Sequence, residues 1–214
     1  MSDTYNQIIK HYEDCFREHG DNCRGVDWPN EADAKVRYKV MLDIINYDTS
    51  AVRNSDRSIM DFGCGLGHLY QYIRDNNYNV KYCGVDISDV FLTECKRKFP
   101  DVNFVQMDIL KDDYKDLVKS VDYVVMNGVF TEKCTLEYRE MKMYFEKVLK
   151  RAFEICNRGI AFNVMSKDVD WERDDLFHLP LGELSSFLTK DLSRKYVVRN
   201  DYGLYEYTTY VYKD

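Results

Sequence analysis

Asp61 and the glycines at 63, 65 and 67 carry the most legible chemistry in this chain. They lie in Arg57-Ser-Ile-Met-Asp-Phe-Gly-Cys-Gly-Leu-Gly67, where a short apolar run (Ile59, Met60) meets a carboxylate and then glycine at every second position. Glycine lets the backbone bend sharply and lets a ligand rest against bare main chain. Leu69, Tyr70, Tyr72 and Ile73 follow at helical spacing, so the loop is a strand-to-helix turn. In open α/β sheets ligands bind at such turns, outside the carboxyl ends of the strands. A Walker loop is excluded, because no Gly-Lys-Ser/Thr follows. The dinucleotide fingerprint G-x-G-x-x-G is disfavoured, because His68 replaces its third glycine.

The neighbouring strands must supply the remaining contacts. Val80-Lys-Tyr-Cys-Gly-Val-Asp-Ile-Ser88 reads as a second strand ending in Asp86. That carboxylate stands about 20 residues beyond the loop, the separation at which an acidic residue grips a ribose diol. One crossover helix returns the chain to an adjacent parallel strand. Asn103 to Ile109 reads as a third strand ending at Asp108, and Val121 to Val129 as a fourth ending at Asn127-Gly128. Taken singly, Asp86 could cap the helix that Ser88 or Asp89 opens, and Asp108 could be an ordinary loop aspartate. Four tips at these separations, downstream of Asp61 and three glycines, argue for one shared ligand.

The set resembles the class I S-adenosylmethionine (SAM)-dependent methyltransferases, well over residues 35–165 and in pattern only beyond. Asp61, Gly63, Cys64, Gly65 and Gly67 match motif I of that family. The resemblance implies a three-layer α/β Rossmann-like fold: a seven-stranded, mostly parallel sheet closed by a C-terminal antiparallel hairpin. It implies SAM as cofactor and S-adenosylhomocysteine (SAH) as product. Asp86 would hold the ribose, and Asp108, beside Met107, would accept from the adenine amino group. Ile87 and Ile109 would sandwich the ring. Asn127, Gly128 and Val129 would form motif IV, facing the methionine half and the methyl acceptor.

Trp28 and the pair Arg37-Tyr38 resemble an aromatic residue and an arginine-aromatic pair ahead of the first strand in bacterial members, with the arginine near the methionine carboxylate. A guanidinium fork suits a carboxylate, and an aromatic face suits a sulfonium. The plain alternative is an amphipathic helix with a solvated Arg37 and a core Tyr38. On the ligand reading, Arg37→Ala weakens cofactor binding far more than folding. The phrase from Asn200 to Tyr212 resembles methyltransferases of bacterial surface-polysaccharide and secondary-metabolite clusters, some linked to methylated capsule groups, including phosphoramidates. It implies a small-molecule acceptor such as a capsule or glycan precursor. The alternatives are a non-catalytic SAM or nucleotide sensor and an NAD(P)-dependent oxidoreductase.

The 214 residues suffice for one α/β domain. It reads as an N-terminal helical cap (1–47), a cofactor-binding core (57–165) and acceptor-side final elements (166–214). Helices are expected over 4–19 and 31–47 with a loop at 20–30, a fifth strand over 158–165, a polar insert over 166–182 and a helix near 182–192. Strands at 195–199 and 205–212, the latter half-buried, flank the turn residues Asn200-Asp-Tyr-Gly203. No run of 18 or more uncharged apolar residues and no signal-peptide pattern appears. Seven cysteines without a C-x-x-C pair fit a reducing cytoplasm. A net charge of −7 argues against a grip on nucleic-acid phosphates. The expected protein is cytoplasmic, off the membrane, and a monomer or homodimer.

If the acceptor is a hydroxyl, its proton needs a base. His178 in the insert and Asp201 and Tyr202 at the hairpin turn are the candidates. Glu132 and Lys133 follow motif IV, and His68 opens the helix after the glycine loop. Each also has a plain reading as a loop, turn or helix-end residue. His11, Cys15, His19 and Cys23 recur every four residues, and imidazole and thiolate bind zinc. A step of four overshoots a helical turn by about 40°, and Gly20 should end the helix before Cys23, so no metal is expected from that row.

Overall fold

The computed structural model describes residues 5–50 and 57–214. Seven strands run in the order β3-β2-β1-β4-β5-β8-β7. They are β1 (Arg57–Phe62), β2 (Val80–Asp86), β3 (Asn103–Gln106), β4 (Val121–Met126), β5 (Cys156–Ser166), β7 (Tyr196–Arg199) and β8 (Glu206–Tyr212). β1 to β5 pair in parallel, and β8 lies antiparallel to both β5 and β7. An eighth, two-residue strand, β6 (His178–Leu179), pairs with the end of β5. It comes from the insert expected to be irregular, which folds back so that Met165 faces His178 and Ser166 faces Leu179.

Alternation along the strands serves two apolar layers. Met60, Val124, Met126 and Phe162 pack with α6 (Tyr138–Ile155), α7 (Leu181–Asp191) and the start of α1 (Asn6–His19). Ile59, Tyr123, Val125 and Ala161 pack with α2 (Glu31–Leu42), α3 (Ile44–Tyr47) and α4 (His68–Asp75). On α5 (Asp89–Lys98), Leu92 and Cys95 join Phe99, Phe104 and Cys64 in a third cluster. No helix among the described residues is long and apolar enough to cross a membrane.

Several expectations shift. The third and fourth strands end earlier than expected, at Gln106 and Met126, so Asp108 and Asn127-Gly128 lie just beyond them. The first helix is described from Asn6, and its expected start at residue 4 lies outside the described residues. The expected helix 31–47 divides at Asp43. There Tyr210 and Tyr212 of β8 donate to the carbonyls of Val40 and Ile44, competing with the local helical ladder, and Asn46 Nδ2 binds the Asp43 carboxylate at 2.9 Å. β8 is buried along its whole length, not half-buried. It is covered on both faces, and its tyrosine hydroxyls find partners inside, as Tyr207 does on the Leu179 carbonyl at 3.0 Å. The turn before it forms as expected, with Gly203 in the left-handed region (φ 75°).

Phe145 is the knot of the α6 layer, its ring centroid 5.0–6.1 Å from those of Phe130, Phe162, Phe177 and Phe187. Phe145→Ala is expected to cost about 3–5 kcal/mol in urea unfolding. A loss below about 1 kcal/mol would mean this layer is not the packed core described.

Candidate active site

The glycine loop is held by the strand beside it. Gly63 and Cys64 donate their N–H groups to the Val85 carbonyl (2.8 and 3.1 Å), and Gly65 donates to Asp86 Oδ2 (2.8 Å). Gly63 and Gly65 are left-handed (φ 73° and 51°), and a Cβ on Gly63 would fall 2.6 Å from Val129 Cγ2. Only glycine therefore lets the tips of β1 and β4 close up. The other Asp86 oxygen accepts from the Ser88 N–H at 2.9 Å. Burial raises the Asp86 pKa, and these backbone donors oppose that rise. Asp61 lies beneath the loop, not on the cavity wall. It accepts from the Tyr82 hydroxyl (2.8 Å), and burial pushes its pKa up to about 7. Gly67 also lies off the wall and caps α4 (φ 73°).

A cavity of about 1020 Å³, its open mouth included, runs along these tips. Gly63, Cys64 and Gly65 border it, and Asp86, Ile87, Met107, Asp108 and Ile109 line one region. Asp108 accepts from the Tyr5 hydroxyl and the Leu110 N–H (3.0 Å) and pairs with Lys111 at 3.3 Å. Trp28, Asn127, Gly128 and Val129 line the region beyond the β4 tip. Tyr12 of α1 closes this side, its hydroxyl 3.1 Å from the Gly128 carbonyl. Ser88 Oγ donates to Glu13 Oε1 (2.6 Å), which fastens α1 to the β2 tip.

A closed ring of contacts braces the β4 end. Arg37 Nε donates to Glu206 Oε2 at 2.9 Å, and Asn163 Nδ2 donates to Glu206 Oε1 at 3.0 Å. Asn163 Oδ1 accepts from the Gly128 N–H at 2.8 Å. The Arg37 guanidinium lies 4.0 Å from the Trp28 ring centroid, and Trp28 Cζ2 stands 2.8 Å from the position of a Cβ on Gly128. Arg37 is 9% exposed and Glu206 1%, so the solvated alternative for Arg37 does not hold. Neither Glu206 nor Asn163 was anticipated. Their signal was a polar residue inside an otherwise apolar strand, Ile160-Ala-Phe-Asn-Val164, and a glutamate within a run of tyrosines. Two atoms around the ring remain buried and unpaired, Arg37 Nη1 and Asn127 Oδ1.

The three candidate bases do not line the cavity. His178 is buried with both ring nitrogens engaged, Nδ1 at 2.7 Å from the Ser166 carbonyl and Nε2 accepting from the Arg173 N–H at 3.3 Å. It ties the insert to β5. Asp201 is exposed and paired with Arg199 at 2.6 Å, whose hydrogen bond lowers its pKa. The Tyr202 hydroxyl lies 2.9 Å from Thr208 Oγ1 and 3.5 Å from Glu206 Oε1, so this residue backs the Arg37–Glu206 pair. Burial raises its pKa. Lys133 Nζ donates to the Leu136 carbonyl (3.2 Å), and His68, which does border the cavity, pairs with Asp21 at 2.7 Å. Glu132 is buried, and burial pushes its pKa up to about 7.

The helical His/Cys row breaks as expected, since α1 ends at His19 and Cys23 lies in a 3-10 turn, Cys23–Val26. His11 and Cys15 instead meet Asp27. His11 Nε2 stands 2.8 Å from Asp27 Oδ2 and 3.8 Å from Cys15 Sγ.

Residues 60–157 match the family model described as a methyltransferase domain, a span that includes the tips of β1 to β4. The chain is 28% identical over 158 residues, 73% of its length and 93% of the other's, to the Mycobacterium tuberculosis H37Rv protein named "Putative methyltransferase Rv1506c". Magnesium protoporphyrin IX methyltransferase from Synechocystis, solved with bound SAH, matches with a TM-score of 0.65 at 14% identity, over 98% of this chain and 100% of that one. A SAM-dependent methyltransferase from Leishmania major matches with a TM-score of 0.70 at 14% identity, over 98% and 82%. The fold is that of the class I SAM-dependent methyltransferases.

Because Glu206 is buried on Arg37, Arg37→Ala should damage stability as well as binding, contrary to the expectation from sequence. Removing one partner of a buried pair costs about 3–5 kcal/mol. Burial already raises the Glu206 pKa, and without Arg37 it should rise further. The folded variant then holds a proton that the unfolded chain releases, so its deficit should be small near pH 4 and grow as pH rises. Urea unfolding of both proteins from pH 4 to 8 measures this. A deficit independent of pH would contradict it.

Proposed function

We propose that this protein is a SAM-dependent methyltransferase acting on a small molecule. The observation that carries the reading is the pair of aspartates at adjacent strand tips. Asp86 is oriented by the Gly65 and Ser88 N–H groups, and Asp108 follows two residues after the end of the neighbouring strand, both on one cavity. Asp86 suits a ribose diol, and Asp108 suits an adenine amino group between Ile87 and Ile109. At the β4 end Asn127, on the cavity, keeps an unpaired acceptor, Oδ1, suited to an ammonium, and Arg37, held against Trp28 and itself off the cavity wall, keeps an unpaired Nη1. The dinucleotide reading fits less well, since His68 stands where close packing asks for glycine.

SAM, when bound, supplies a methyl group on a sulfonium whose positive charge disappears on transfer. The protein's part is to hold two reactants in line, which in well-aligned cases contributes roughly 7–11 kcal/mol. The Arg37–Glu206–Asn163 ring fixes Gly128 and Trp28 for that purpose, and α1 covers the cavity through Tyr5, Ile8 and Tyr12. The resemblance of Asn200 to Tyr212 to surface-polysaccharide methyltransferases supports a glycan or capsule precursor as acceptor.

Calorimetry with SAM and with NAD separates the two cofactor readings, and SAH formation separates a catalyst from a sensor. Asp86→Ala should raise the dissociation constant for SAM by roughly ten- to a hundred-fold, the loss of a hydrogen bond to a charged group. Binding of NAD in place of SAM, or an unchanged constant in Asp86→Ala, would remove this reading.

A further inference from the structure

Outside the cavity wall, four segments bring together side chains that the methyl-transfer reading leaves without a role. His11 and Cys15 stand one turn apart on α1, and Asp27 reaches them from the turn after the 3-10 helix. Their ligating atoms all lie within 4.8 Å of one another. Donor atoms on one tetrahedral zinc, with bonds of about 2.0–2.3 Å, are separated by about 3.3–3.7 Å. The observed 2.8 Å (His11 to Asp27) and 3.8 Å (His11 to Cys15) bracket that range, within reach of small side-chain rotations.

Glu132 stands in the same neighbourhood. It is 6% exposed. Asp27 and His11 are the charges that act on it most strongly, and Asp175 adds a third carboxylate nearby. The cation in that neighbourhood, Arg173, is committed to Asp175 through two contacts of 2.5 and 2.9 Å. A buried carboxylate beside two others is costly unless a cation joins them.

We propose that His11, Cys15 and Asp27, with solvent as fourth donor, bind a divalent transition-metal ion of the zinc class. One imidazole, one thiolate and one carboxylate form a donor set that zinc accepts. The ion clamps α1 to the 20–30 loop. Tyr12 and Trp28, next to His11 and Asp27 in sequence, line the cavity, so the clamp also sets its wall. Binding displaces the Cys15 thiol proton to solvent, so affinity rises with pH. The site stands whether or not the protein transfers methyl groups.

The test uses the full chain without a histidine tag, stripped with a chelator and dialysed first against zinc and then against cobalt(II). One zinc per chain is expected, with a higher melting temperature. Cobalt should give the visible bands of a tetrahedral site and a thiolate charge-transfer band that zinc abolishes. Cys15→Ser should remove the charge-transfer band. His11→Ala and the isosteric Asp27→Asn should each weaken zinc binding at least tenfold, with cooperative melting of the metal-free variants as the control for folding. Absence of stoichiometric zinc and of the tetrahedral cobalt spectrum in the unmutated chain would overturn the proposal. So would a charge-transfer band that survives Cys15→Ser.

Discussion

The site depends on one buried carboxylate being held still before any ligand arrives. Asp86 has both oxygens engaged by backbone N–H groups, one from the glycine loop and one from the start of α5. Those bonds favour the charged form against burial, which acts the other way. They also tie the loop to the β2 tip, so loop conformation and carboxylate orientation are one feature. The parallel register makes this possible by setting the ends of β1 and β2 side by side, with Phe62 opposite Val85. Left-handed glycines then turn the chain without a Cβ in the way.

The other half of the cavity is braced by long-range polar contacts. Arg37 comes from α2, Asn163 from β5, Glu206 from β8 and Gly128 from the end of β4. A buried ion pair is weak evidence for stability, because desolvation offsets its attraction. Its service here is geometric: it fixes Trp28 against Gly128 and leaves one guanidinium nitrogen unspent. The tyrosines of β8 work alike, giving apolar area to two layers and hydroxyls to the carbonyls of α2 and α3.

What was legible in the sequence is what is encoded locally. The strand-loop-helix of residues 57–75, the aspartates at 86 and 108 and the Asn127-Gly128 tip each follow from spacing within one βαβ step. The final hairpin follows from its turn residues. The rest depends on which distant segments meet. β6 exists because the insert returns to β5, and α2 parts from α3 because two tyrosines some 170 residues later claim its carbonyls. His178, Asp201 and Tyr202 stand out in the sequence by residue type and chain position alone. Yet the first two are consumed by local hydrogen bonds and the third by the Glu206 network. Glu206 itself looked like one more polar position in a half-exposed strand, until burial on both faces made it an internal partner for Arg37.

The central claim is that the strand tips clasp an adenosyl ligand, and a crystal structure with SAH bound tests it most directly. The account predicts the ribose hydroxyls on the Asp86 carboxylate, the adenine between Ile87 and Ile109 beside Asp108, and the amino-acid end near Arg37 and Asn127. An adenosine moiety seated away from Gly65 and Asp86 would contradict it.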